Sequence, residues 1–156
     1  MMYARLTKEQ FEELHVEFIN FLATQSIDAK EWQTIKETKP EVAEQELDVF
    51  SDLVWEGVLT QAKYLEHISP QSMHLFALND DSMHLIGVKL KNNIDLTTTD
   101  GFNWFRENLL DENVEFVTAS KPYTDNKNLD KFTLIQQGAI ITKGELYEYF
   151  AKIIGK

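Results

Sequence analysis

The sequence predicts an α+β fold in which helices come first and an antiparallel sheet follows. Two observations carry this. Apolar residues recur at three- and four-residue spacing through residues 8–61, then give way between Tyr64 and Leu90 to short runs of strand-favouring residues split by turn chemistry. A chain of 156 residues can bury one self-standing core, and no stretch has the composition of a linker, so a single domain over 1–156 is expected.

Thr7 with Gln10 three residues on matches a capping box, and Phe11, Leu14, Phe18, Phe21 and Leu22 share one helical face, which predicts one helix over 8–24. Asp28 caps a second helix bearing Trp32 and Ile35, which stops before Pro40 because proline disfavours helical geometry at Lys39. Pro40 suits the first turn of a third helix reaching about Gln61, with Leu47, Phe50, Leu53, Val54 and Gly57 on its buried face.

Residues 64–68, 73–78 and 83–90 read as strands of a meander, separated by Ser69-Pro70-Gln71-Ser72 and Asn79-Asp80-Asp81-Ser82. Asn92 and Asn93 make a turn before a brief extension over 94–96, and Thr99 or Asp100 caps a helix to Leu110 with Phe102, Phe105 and Leu109 inward. Residues 114–118 alternate as a fourth strand, and 121–128 read as a surface loop. Residues 129–137 are a helix closed by Gly138 or a strand, and periodicity does not decide between them. Thr142 with Glu145 matches a capping box for a last helix whose stripe is Leu146, Tyr149, Phe150 and Ile153. The helices are expected mainly on one face of a sheet of about four strands.

Fifteen Lys and Arg against 26 Asp and Glu leave a net charge of −11. The first 62 residues hold 13 of the acids and 5 of the bases, and Arg5 and Arg106 are the only arginines. Such a surface repels phosphate backbones and anionic membranes and suits a basic protein partner. The chain has no cysteine, which excludes a disulfide framework, a thiolate nucleophile and cysteine-based metal centres. Without a long apolar run or a leader-like start, a cytoplasmic protein that does not insert into membranes is expected.

The six glycines never fall as GxG or GxxxxGK, and GxSxG and HExxH are missing, so no cofactor is expected. Asp95 to Gly101 approaches a calcium loop, but the glycine stands one place late and Arg106 occupies the position of the bidentate Glu. Glu12 and His15 form one Glu-x-x-His step where di-iron bundles need two, so His15 reads as a partly buried structural histidine and no metal site is expected. His67, His74 and His84 lie in the sheet near Glu66 and would suit a small hydrolase or metal-dependent enzyme if they converged. Pairing of Leu78 with Met83 puts His74 and His84 on opposite faces; an odd-numbered loop would put them together.

The third helix carries the most specific feature. Opposite Phe50 lie Glu41, Glu44, Asp48, Asp52 and Glu56, with Trp55 and Leu59 among them and no Lys or Arg in the helix. Like charges four residues apart each cost a few tenths of a kcal/mol, so something must offset them. The plain reading is solvent screening with Trp55 and Leu59 packed internally; the functional one is a docking face for a basic partner segment, with Trp55 as anchor. Trp104 points about 160° from the inward face of its own helix and is either an internal contact or an exposed anchor. Tyr123, Asp125, Asn126 and Asn128 could serve recognition on their loop.

The segments Leu47-Asp48-Val49-Phe50-Ser51-Asp52-Leu53-Val54-Trp55-Glu56, Tyr64-Leu65-Glu66-His67, His84-Leu85-Ile86-Gly87 and Leu134-Ile135-Gln136-Gln137-Gly138-Ala139 resemble a family of short uncharacterised proteins found in Bacteroidetes bacteria. The resemblance covers nearly the whole chain and implies a cytoplasmic bacterial protein; being to a domain of unknown function, it brings no catalytic residue, cofactor or substrate. The function expected from the residues is an interaction or adaptor module docking a basic partner on the acidic helix face. The alternatives are the histidine enzyme and an acidic mimic of nucleic acid.

Overall fold

The computed structural model describes residues 1–155. The fold is α+β, with seven helices and one five-stranded antiparallel sheet among the described residues. The chain divides into two compact units, Met1–Thr60 and a second beginning at Gln61.

The first unit is helical: α1 (Lys8–Glu13), α2 (His15–Ala23), α3 (Ala29–Thr38) and α4 (Pro40–Gln61), whose last residue opens the next unit. Thr7 caps α1 in the expected box, its hydroxyl accepting from the Gln10 amide at 3.1 Å while Gln10 Oε1 accepts from the Thr7 amide at 2.8 Å. The single helix expected over 8–24 is instead two, broken at Leu14 (φ −99°, ψ 23°). Neither proline nor glycine marks that break. It lets the chain wrap one ring: Phe11, Phe18 and Phe21 lie 6.0, 5.1 and 5.4 Å from Phe50, and Trp32 meets Phe18 edge-on at 5.3 Å. Tertiary aromatic packing overrides local helix continuity here. His15, expected partly buried, is exposed, because the break points it to the rim of a groove between α2 and α3 instead of into the aromatic cluster.

Helix α4 is buried along Ala43, Phe50, Ser51 and Leu59, a stripe rotated from the expected one, and Leu53 is 55% exposed. The rotation has a cause on the opposite side of the helix, where the segment before α1 lies.

The second unit holds β1 (Tyr64–Ser69), β2 (Ser72–Leu78), β3 (Ser82–Leu90), α5 (Thr99–Glu107), β4 (Val114–Pro122), α6 (Lys127–Gln136), β5 (Ile140–Thr142) and α7 (Glu145–Ile153), with strand order β4-β3-β2-β1-β5. The three meander strands stand where the sequence puts them, with Leu78 paired to Met83. One sheet face carries Met73, Leu75, Ile86 and Val88 and is sealed by Phe105 of α5 and Phe150 and Ala151 of α7. The other carries Leu65, Leu78 and Met83, covered by Leu134 and Ile135 of α6 with Ala62 and Ala139. Helices therefore cover both faces, correcting the expectation of one. The central strands are apolar on both sides, as the near-continuous run Leu75-Phe76-Ala77-Leu78 shows, and each side needs a cover.

Further differences are local. Residues 94–96 form no strand; the Leu96 amide donates to the Pro70 carbonyl at 2.7 Å and Leu96 joins the core. Helix α5 is capped by Thr98, whose hydroxyl accepts from the Gly101 amide at 3.0 Å, and it ends at Glu107, leaving Leu110 97% exposed. Strand β4 runs on to Pro122, so the expected loop over 121–128 shrinks, and residues 129–137 fall mostly in α6, with Gly138 at φ +115° just after it. Thr142 does not cap α7: it ends the unexpected strand β5, paired with Tyr64, and its hydroxyl accepts from the amide of Gly144, the residue that caps α7 at φ +82°. A three-residue strand has too little pattern to be read before its partner is known.

Ser26 holds φ +61° where α2 closes, with the Ile27 amide donating to the Leu22 carbonyl at 3.0 Å. This left-handed closing position favours glycine. Ser26→Gly should stabilise the protein by about 0.5–1 kcal/mol, read as a raised urea midpoint at unchanged slope.

Candidate functional site

The acidic side of α4 is occupied by the chain's own residues 2–6, which run antiparallel to the helix. The Asp52 carboxylate accepts from two successive amides, Met2 at 2.8 Å through Oδ2 and Tyr3 at 3.0 Å through Oδ1. Tyr3 donates its hydroxyl to Glu56. Trp55 Nε1 donates to the Ala4 carbonyl at 3.1 Å, and the Leu6 amide donates to Ser51 Oγ at 3.1 Å. Arg5 closes the far end, with Nε 2.7 Å from Asp48 and Nη1 2.7 Å from Glu44.

Four of the six acidic-face candidates, Glu44, Asp48, Asp52 and Glu56, thus act on one segment, and Trp55 joins them through its indole N–H. Leu59 does not present itself to solvent, since it is fully buried. Glu41 stays exposed. The like-charge ladder is offset by backbone N–H groups and one guanidinium supplied from 43 to 50 residues away in sequence. Tyr3 and Leu6 are both buried, at 8% and 6% exposure, so the face takes two side chains of the segment and an arginine between them.

Sequence reasoning missed Ser51 and the segment itself. Ser51 is fully buried; its hydroxyl donates to the Leu47 carbonyl at 2.7 Å and accepts from Leu6. The signal available was Tyr3, Arg5 and Leu6 as a short aromatic, basic and apolar group ahead of the Thr7 cap, which has no helical or strand period.

The other candidates sit elsewhere. Trp104 is half-buried and packs against the core formed by Phe105 and Phe150. Tyr123 donates to the Asn79 carbonyl at 2.7 Å, and Lys127 Nζ lies 4.9 Å from its ring centroid while donating to the Asp80 carbonyl. Asn126 caps α6, its Oδ1 accepting from the Leu129 amide at 3.0 Å, whereas Asp125 is exposed. These contacts tie residues 123–127 to the β2–β3 turn.

His67 and His74 pair across β1 and β2 with ring centroids 6.4 Å apart. His84 pairs with Ala77 and Glu66 with Leu75, so both lie on the opposite face of the sheet. The three imidazoles do not converge, and among the described residues no group of three or more His, Asp or Glu is placed to hold a metal ion. Glu66 itself is pushed above the ordinary carboxylate range by burial. Lys131 of α6, 2% exposed, donates to the Ala62 carbonyl at 3.0 Å, and burial lowers its affinity for a proton.

Burial, and then the neighbouring Glu56 carboxylate, push the Tyr3 phenol from 10.0 up to about 12. The folded chain therefore holds this proton more tightly than the unfolded chain. The resulting stability is fully present below pH 10 and is lost as pH rises from 10 towards 12. The melting temperature followed across that window should fall less steeply in Tyr3→Phe than in the parent protein, although Tyr3→Phe starts lower because the Glu56 bond is gone.

No described helix is long and apolar enough to cross a membrane. No curated protein and no solved structure matches the chain. One family pattern does match, over residues 1–155, and it is described as a family of unknown function, DUF6495. The chain belongs to that family.

Proposed function

We propose that this protein is an interaction module whose acidic α4 face recognises an arginine-bearing segment of a partner protein. The observation that carries the reading is the manner in which the face already holds residues 2–6. Asp52, Trp55 and Ser51 engage the segment's backbone, which bends at Tyr3 so that two successive amides reach the Asp52 carboxylate, and Asp48 with Glu44 engages its one cation. Residues 2–6 are then the resident ligand, and a partner segment exchanges with them.

The arrangement also states what such a segment should look like: an aromatic residue, any residue, arginine, then an aliphatic residue, in the pattern of Tyr3, Ala4, Arg5 and Leu6. The exchange is energetically feasible because the Arg5 ion pairs are exposed, with Arg5, Asp48 and Glu44 side chains 35%, 34% and 61% accessible, and exposed pairs contribute only about 0–1 kcal/mol each. The binding should weaken with added salt for the same reason.

Weakening the resident segment with Arg5→Glu opens the test. A fluorescent peptide of residues 1–7 should bind the Arg5→Glu protein saturably in an anisotropy titration. Adding Asp48→Lys and Asp52→Lys to that protein should raise the Kd about tenfold or more, with far-UV circular dichroism unchanged. Absence of peptide binding to the Arg5→Glu protein, or indifference to the two charge reversals, refutes the exchange.

A further inference from the structure

Strand β4 is the long open edge of the sheet. Of the two outer strands, β5 has three residues and β4 has nine. Native sheets blunt their edges by brevity, bulges, proline or charge. Brevity protects β5. Strand β4 pairs with β3 without interruption from Ser82↔Pro122 to Leu90↔Val114, so no bulge interrupts it. Its charges and proline stand towards its ends, at Glu115, Lys121 and Pro122, while residues 116–120 carry none and Val117, Thr118, Ala119 and Ser120 are exposed.

One hydrogen bond sets which backbone groups face outward. The Lys91 amide donates to the Asn113 carbonyl at 2.9 Å, continuing the β3–β4 ladder. Antiparallel ladders alternate, so Glu115, Val117, Ala119 and Lys121 turn their N–H and C=O groups to β3, and Phe116, Thr118 and Ser120 turn theirs away from it.

We propose that β4 is a dimerisation edge that pairs antiparallel with β4 of a second copy of this chain, about a twofold axis at Thr118. In that register outward-facing Thr118 meets Thr118 of the second copy, and outward-facing Phe116 meets Ser120 of the second copy, each exchanging N–H···O=C bonds. Glu115 then lies directly opposite Lys121 of the second copy, and Lys121 opposite Glu115 of the second copy. Both are the closely spaced, non-hydrogen-bonded positions where side chains interact most.

The charge pattern selects this register. An axis at Val117 sets Glu115 against Ala119, and an axis at Ala119 sets it against Tyr123; neither provides an opposite charge. With the axis at Thr118, Val117, which is 48% exposed, gains Ala119 of the second copy as its cross-strand neighbour. The side chains of Glu115, Val117, Ala119 and Lys121 all lie on the α6 side of the sheet. An apolar groove of about 240 Å³ beside them, lined by Phe76, Leu85, Ala119, Lys121 and Leu134, continues across the axis into its counterpart. Pairing is isologous and closes after two copies, as most soluble oligomers do.

Sedimentation equilibrium of the full chain provides the test. The parent protein should show a concentration-dependent monomer–dimer equilibrium. Thr118→Pro removes an outward N–H without touching the β3 ladder, so it should be monomeric with an unchanged far-UV circular dichroism spectrum. Glu115→Lys and Lys121→Glu should each weaken dimerisation about tenfold, since each puts like charges opposite one another at two symmetric positions. An equimolar mixture of these two variants should associate again, because every facing pair is then of opposite sign. If Thr118→Pro fails to fold, the mixture alone decides. A parent chain that stays monomeric at its highest soluble concentration, a dimer indifferent to Thr118→Pro, or a mixture no more associated than either variant overturns the proposal.

Discussion

The first unit is organised by a charge problem on one helix. Helix α4 lines up Glu41, Glu44, Asp48, Asp52 and Glu56 without a single base of its own, and each i,i+4 pair repels its neighbour. Solvent can screen such a ladder only in part. The chain supplies the remainder from residues 2–6, whose amides and guanidinium carry positive partial or full charge to the carboxylates. That one contact fixes the path of the chain before α1, buries Tyr3 and Leu6, and rotates the buried stripe of α4 onto Ala43, Ser51 and Leu59. It also decides which side of α4 is left to the aromatic cluster around Phe50.

The second unit follows from a different constraint. Strands β2 and β3 carry apolar residues on both faces, so the sheet has to be a middle layer. Helices α5 and α7 seal one face through Phe105 and Phe150, and α6 seals part of the other through Leu134 and Ile135. Coverage of the second face stops short of β4, where Val117 and Ala119 remain exposed. The same strand is the sheet's long edge, and the open edge and the open part of the face therefore coincide.

The two regions proposed for association differ in chemistry. On α4, carboxylates and an indole N–H hold residues 2–6 through their backbone and one cation, and the proposed exchange with a partner segment rests on the exposure of the Arg5 ion pairs. On β4, the proposed pairing with a second copy uses main-chain groups and a self-complementary pair of charges. Family membership names no partner, since the family is described as one of unknown function.

Much of this fold was legible residue by residue. The Thr7–Gln10 box and the long helix after Pro40 are local, because capping geometry and proline's steric limits act over a few residues, and Leu78↔Met83 is one of the two registers that the turn left open. The separation of His74 from His84 followed from that register alone. The acidic ladder and Trp55 were also visible as a face in need of compensation. What the sequence could not specify was the source of that compensation, since the pairing of Asp52 with Met2 and Tyr3 spans about fifty residues and leaves no periodic trace in either segment. The break at Leu14, the strand over Ile140–Thr142 and the helix on the second sheet face belong to the same class. Each is decided by which distant surface is available to pack or pair, and that is a property of the assembled chain.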